Sequence, residues 1–276
     1  MFHAPAMCVY RYISMNICVI FPHPDDAALN AAGTLARWVE EGHEVTAVCC
    51  TRGNMGTLRL DQTAEEVGQI RSGELIAANA ILGIQHTEIL DHPDGCVLDA
   101  VALRKDLVRC IRHYRPERVV TMDPWARYEV HRDHITVGQM ASEAAAFACF
   151  PLLYPEHLEM GLKPHNASEV WYMGLLGKTP NTFVSIEDQL EKKVQALLKF
   201  EATMAILDQL FSDETSTHAS AHEWIRKTAA QFGCPVQLAA AEAFVVQRCA
   251  PGHFDNMQEL NRAILGEPAD PPRVIR

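Results

Sequence analysis

Three polar residues follow the first apolar run of the chain: His23, Asp25 and Asp26, within NICVIFPHPDDAALNAAG at 16–33. His23 and Asp26 are three apart, so one tight turn or first helical turn can aim both at a single point. Asp25 lies between them and points elsewhere, close by but free. A converging imidazole and carboxylate, with a second carboxylate alongside, supply half the parts of a hydrolytic zinc centre. The competing reading is capping, because proline and acidic residues suit a helix start and its dipole. HPDD alone does not separate the two. A second cluster, His131-Arg132-Asp133-His134, also lies beyond the carboxyl end of an apolar run. His134, opening a helix, can supply a third ligand. Two histidines and one aspartate leave an open position for water. A lone HxxH is more often plain helix surface, but two such clusters on one rim of a sheet favour metal.

The elements that must position these residues alternate. Apolar β-type runs at 17–21, 45–51, 88–90 and 118–122 are separated by helical patterns at 27–41, 63–82 and 100–114. An alanine-rich helix opens at 131 and runs to 149. Such alternation predicts an α/β fold, a Rossmann-like three-layer sandwich with a mostly parallel sheet covered on both faces. Ligands of such sheets sit beyond the carboxyl ends of the strands, where both clusters fall. C-terminal strands at 169–175 and 182–185 and helices at 186–208 and 219–232 complete the expectation. The whole of 1–276 reads as a single domain, with 1–14 a loose extension and 268–276 a proline-rich tail.

Composition narrows the function classes. Of 276 residues 48% are hydrophobic and 21% charged, as in ordinary globular proteins, and the net charge is −11. That charge disfavours nucleic acid or an anionic membrane surface as partner. No run approaches the ~18 apolar residues of a membrane-spanning helix, and no leader pattern is evident. Nine cysteines without a C-x-x-C pair suggest a reducing, cytoplasmic setting.

Four segments in order, PHPDDAALNAAGTLARWVEEGHEV, TRGNMGT, IRSGELIAANAILGI and DPWARYEVHRDH, resemble the LmbE/PIG-L-like zinc-dependent N-acetylglucosamine deacetylases. The resemblance spans 16–149 and extends weakly through AEAF at 241–244. The DPWxxYxxHxDH form is most similar to the diacetylchitobiose deacetylase branch. It implies His23, Asp26 and His134 as Zn2+ ligands and Asp25 as general base. Where the family often has glutamate after the second aspartate this chain has Ala27, which removes a neighbouring carboxylate but no ligand. His131 is the expected donor to the tetrahedral oxyanion, with Asp133 favouring its charged form. Asp133 could equally be a helix-start carboxylate.

Arg71 resembles the family's substrate-contacting arginine; its plain alternative is an i,i+3 pair with Glu74. Asp94, in a Pro-Asp-Gly turn, is a weak sugar contact, and Trp125 either stacks on a sugar or plugs the core. His92 lacks a second aspartate after it and is not counted as a ligand. The implied activity is hydrolytic removal of acetyl from an N-acetylglucosamine-containing small saccharide or glycoconjugate, by a homo-oligomer as in that branch. Amino-sugar thiol precursors and antibiotic pseudosaccharides are alternative substrates. A nucleotide-binding Rossmann-type protein is the alternative of a different class, but two aspartates stand where a pyrophosphate would lie.

Overall fold

A computed structural model describes residues 14–95, 100–175, 177–211, 220–254 and 270–276. The strand β1 (Asn16–Phe21) is buried over nearly its whole length, as a strand covered on both faces must be. Its side chains alternate between two cores. Ile17, Val19 and Phe21 join the one containing Leu35, Trp38 and Trp171, while Cys18 and Ile20 join the one containing Leu103, Ile111 and Ala141. After β1 come α1 (Asp26–Glu40), β2 (Glu44–Thr51), α2 (Ala64–Leu82), β3 (His86–His92), α3 (Ala100–Tyr114), β4 (Arg118–Met122) and α4 (Arg132–Phe147). The start of α2 is fixed by a Thr63–Glu66 capping box and its end by Gly83 in the left-handed region.

The chain continues through α5 (Glu156–Glu159), β5 (Glu169–Met173), β6 (Thr182–Ser185), α6 (Leu190–Leu197), α7 (Glu201–Phe211), α8 (Ala221–Gly233), β7 (Ala241–Ala250), β8 (His253–Phe254) and β9 (Arg273–Ile275). The strands of the described residues form one nine-stranded sheet in the order β3-β2-β1-β4-β5-β7-β6-β9, with β8 on β7. From β3 to β5 every pairing is parallel, and β7 runs antiparallel to both its neighbours. The three-layer α/β expectation therefore holds. The first crossovers step outward from β1 to β3, and the chain then returns to place β4 on the other side of β1. This reversal is the switch point at which such sheets open a crevice, and HPDD leaves β1 there while the HRDH loop leaves β4. The close seat of α4 depends on Gly138, where a Cβ would come within 2.5 Å of the Met122 carbonyl oxygen.

Three expectations change. The helix expected over 186–208 is two helices, α6 and α7, because the chain turns tightly after Leu197 and buries Phe200 in the core. The ten-residue strand β7 was not anticipated; it inserts between β5 and β6. Within the proline-rich tail, a strand not marked by the sequence pattern forms at Arg273–Ile275, paired parallel with β6, and Arg37 Nη2 donates to the Arg276 carbonyl at 2.6 Å. Of the expected 1–14 extension, 1–13 lies outside the described residues. Among the described residues no helix is long and apolar enough to cross a membrane.

Candidate active site

Asp25 and Asp26 stand at the start of α1, yet Asp25 makes no side-chain capping bond. Asp26 turns back instead: its Oδ2 accepts the His23 backbone N–H at 2.8 Å and lies 3.2 Å from His23 Nδ1. Its other oxygen, Oδ1, lies 3.3 Å from His134 Nε2. Asp26 thus bridges the two imidazoles, His23 from the turn after β1 and His134 from the first turn of α4.

The far nitrogen of each ring is held by carboxylates. His23 Nε2 lies 3.1 Å from Asp94 Oδ1 and 3.2 Å from Asp133 Oδ2, and His134 Nδ1 lies 3.0 Å from Glu129 Oε2. A histidine ligand whose outer N–H is held this way keeps its inner nitrogen oriented and basic. The donor set fits a metal for that reason: His23 Nδ1, His134 Nε2 and the Asp26 carboxylate converge with their tautomers fixed from outside. The ring nitrogens of His23, His131 and His134 also lie within 4.8 Å of one another.

The electrostatics agree. Burial alone would lower the His23 pKa, but hydrogen bonds to Asp133, Asp26 and Asp94 outweigh it and push the value up to about 12. His134 is raised in the same way, against burial, chiefly by Asp26. Burial works to raise Asp26, yet His134 and His23 hold it well below the usual carboxylate range. Protons on the imidazoles balance charge in the place a divalent cation would occupy.

Asp25 is fixed beside this cluster. Arg71 Nη2 donates to its Oδ1 at 2.7 Å, and Thr203 Oγ1 donates to its Oδ2 at 2.6 Å. Arg71 is itself buried and not on a solvated helix face, so the simple pair with Glu74 does not describe it. Its guanidinium needs Gly56, where a Cβ would stand 1.6 Å from Arg71 Nη1. Arg71 Nε, also buried, has no hydrogen-bond partner among the described residues.

Residues 18–145, which carry both clusters, match the family model described as PIG-L, GlcNAc-PI de-N-acetylase. Diacetylchitobiose deacetylase of Thermococcus kodakarensis is 34% identical over 187 residues, covering 68% of this chain and 69% of the relative. The chain belongs to the PIG-L family. It is accordingly a hydrolase of the N-acetyl-sugar deacetylase type, and the nucleotide-binding alternative is not favoured. A 1D-myo-inositol 2-acetamido-2-deoxy-alpha-D-glucopyranoside deacetylase of Kribbella flavida is 32% identical over 165 residues, covering 48% of this chain and about half, 54%, of the relative. The solved N,N'-diacetylchitobiose deacetylase of Pyrococcus horikoshii superposes with a TM-score of 0.77 at 29% identity, covering 88% of each chain.

Among the remaining PIG-L family positions the structure redistributes some expectations. Asp133 does not chiefly support a charged His131: its Oδ2 accepts the Gly95 N–H at 2.7 Å and faces His23. Burial, then the neighbouring His23 and His134, lower the His131 pKa despite Asp133. His131 remains at the cluster, its ring 4.5 Å from His23 and stacked 4.6 Å from His134. Asp94 is more than a turn residue, since it reaches His23 while its Oδ2 accepts the Met55 N–H at 2.6 Å. Trp125 packs edge-on against Tyr172 and lines a separate cavity with Phe147 and Phe254, so the structure does not bring it to the donors. His92 pairs with Asp106 at 3.1 Å. Sequence reasoning missed Glu129 and Thr203. Glu129 lies within the quoted DPWARYEVHRDH segment, five residues before His134; Thr203 lies far along the chain, with no motif to mark it.

Proposed function

We propose that this protein is a zinc-dependent deacetylase of a short saccharide bearing N-acetylglucosamine, releasing acetate and a free amine. The observation that carries this reading is the convergence of His23 Nδ1, His134 Nε2 and Asp26, each ring held from outside by carboxylate, with Asp25 clamped alongside. His23, Asp26 and His134 would hold the ion. A bound zinc ion supplies Lewis acidity, polarising the amide carbonyl and acidifying the attacking water.

The protein's own groups do the rest. Asp25 takes a proton from water as its oxygen adds to the acetamide carbon. Its Arg71 and Thr203 bonds fix the direction in which it can act, and each oxygen keeps a further lone pair for the incoming proton. His131 turns an N–H toward the developing oxyanion, a role a neutral imidazole can fill. Asp25 then gives the proton to the leaving nitrogen, the C–N bond breaks, and acetate and the amino sugar separate. Arg71 and Asp94 would be the contacts to sugar hydroxyls, a role supported for Arg71 by its unpartnered Nε and the cavity it borders.

The seven free cysteines among the described residues support a reducing, cytoplasmic setting. Exposed Leu58, Leu60 and Ile70 support a homo-oligomer, which light scattering would test. The function itself is tested by assaying zinc-loaded protein for acetate and free amine with N,N'-diacetylchitobiose and simpler N-acetylglucosaminides. Stoichiometric acetate and amine, abolished by chelation and restored by zinc, are expected. Failure to cleave any of them with about one zinc bound per chain would overturn the reading.

A further inference from the structure

We propose that the apolar cavity opening on the Asp26–His134 side of the site is an acyl pocket. The chemical class it serves is amino sugars N-acylated with chains longer than acetyl, about four to eight carbons. This rests on the deacetylase reading above and extends it to the acyl half of the substrate.

The cavity has a volume of about 400 Å³ and reaches both Asp26 and His134. Leu29, Leu175, Leu207, Trp224, Ile225 and Phe232 are the large apolar residues lining it besides Met122. Neither Arg71 nor Asp94 borders it. Arg71 borders a different cavity of about 430 Å³, shared with Thr57, Gln62 and Glu74. Of the two spaces only the first reaches the donors; the second touches Arg71, the partner of Asp25, but none of His23, Asp26 or His134. An amide has two sides. Its nitrogen carries the sugar and its carbonyl carbon carries the acyl chain.

The polar groups in the apolar cavity's walls are mostly engaged with protein. Asn30 Nδ2 donates to the Asp26 carbonyl at 2.9 Å, and Glu129 accepts from the His131 N–H at 2.7 Å and faces His134. Lys193 Nζ donates to Glu242 at 2.6 Å and to the Leu29 carbonyl at 2.8 Å. Glu242 also accepts the Gly33 and Thr34 amides. A sugar placed here would lose its hydration with few partners in return, whereas an alkyl chain needs none.

Size points the same way. An acetyl methyl group is about as large as one water molecule, roughly 30 Å³, and would leave most of the space unfilled. Sites of about 300–1,000 Å³ hold whole small-molecule fragments. Each buried methylene should tighten binding by about fourfold while the chain remains inside. The reaction itself is unchanged: water adds to the acyl carbon, the C–N bond breaks, and a fatty carboxylate leaves in place of acetate.

The test compares zinc-loaded protein on N-acetyl-, N-butyryl-, N-hexanoyl- and N-octanoyl-glucosamine, with calorimetric binding of acetate and hexanoate as a second readout. The expected result is a hexanoyl kcat/KM at least equal to the acetyl value, with hexanoate bound at least tenfold more tightly than acetate. Thr228→Trp, which narrows the cavity from α8, should lower the hexanoyl-to-acetyl ratio at least tenfold. Cleavage of acetyl alone, with butyryl already down by tenfold or more, overturns the acyl pocket and leaves the deacetylase reading intact. A ratio unmoved by Thr228→Trp also overturns the pocket. No cleavage of any member overturns both.

Discussion

Lys193 and Glu242, buried behind α1, match one positive charge with one negative and place their remaining hydrogen bonds on backbone groups of Leu29, Gly33 and Thr34. Arg112, also buried, is similarly complete, donating to the carbonyls of Ala148, Phe150, Leu153 and Tyr154. The cluster at the carboxyl rim is not balanced in this way. Among the described residues Asp26, Asp94, Asp133 and Glu129 surround His23 and His134, with His131 stacked alongside, four carboxylates against three imidazoles. Buried carboxylates are costly without compensating charge. The matched clusters hold the scaffold by themselves, whereas the unmatched one calls for a cation. The surplus of negative charge marks the functional site more clearly than any single residue does.

The largest effects should come from breaking the unmatched cluster. Asp25→Asn keeps shape and hydrogen-bonding capacity but cannot take a proton, so activity should fall by roughly 10²–10⁴-fold with zinc content nearly normal. Asp26→Asn removes the anionic ligand that bridges both imidazoles, so zinc affinity itself should fall. Excess zinc should partly restore Asp26→Asn and leave Asp25→Asn unchanged. Metal analysis beside activity checks this, and equal zinc loss in both variants would contradict the division of roles.

Breaking a matched cluster should cost stability instead. Lys193→Met strands the Glu242 carboxylate in the core and should destabilise by about 3–5 kcal/mol in denaturant titration. Lys193→Met combined with Glu242→Gln should recover much of that loss, because no buried charge is left alone. A double variant no more stable than the single one would show that the pair is not matched as described.

Thr203 lies between the two kinds of region, a scaffold residue that touches the site. Thr203→Val preserves shape but removes the hydroxyl that holds Asp25 Oδ2, and kcat should fall about tenfold with KM little changed, the scale of one lost hydrogen bond to a charged group. Thr203→Ser should retain activity. Equal kcat in the Val variant and the parent would remove Thr203 from the positioning of the base.

That contrast also explains what was legible in the sequence. HPDD and HRDH each pack several polar residues into one turn, and strand alternation gave them a common rim; both properties are local. Asp94 and Glu129 were within reach of local reading but had ordinary turn and loop explanations, so their bonds to His23 and His134 emerged only in three dimensions. Thr203 meets Asp25 across 178 positions. It does so because the chain bends at Phe200, and helical periodicity through 186–208 conceals that bend. Likewise β7 is half-buried along much of its length and antiparallel, so it lacks the continuous apolar run that revealed β1 and β4.

The smallest predicted effect uses pH to separate scaffold histidines from site histidines. Burial lowers the pKa values of His43 and His157 from the ordinary 6.5. Each also accepts a hydrogen bond at Nδ1, from the Met15 backbone N–H at 3.2 Å and from Arg112 Nη1 at 3.3 Å, which a protonated imidazole cannot do. Between the folded and unfolded pKa values the unfolded chain binds more protons, so stability rises with pH and is lost on acidification below about 6.5. His23 and His134, with raised values, have the opposite sign in metal-free protein: their contribution is full below about 6.5 and is lost as pH rises through their folded values. On the proposed ligand set, saturation with zinc would occupy their inner nitrogens and should leave the scaffold contribution exposed. Zinc-saturated protein should therefore lose about 2–4 °C in Tm between pH 7.5 and 5.5 for each ~1 kcal/mol of lost bonding. His157→Gln, which keeps an acceptor for Arg112 but does not titrate, should flatten that slope. An unchanged slope in the variant would show that His157 does not hold its proton-free form for the sake of Arg112.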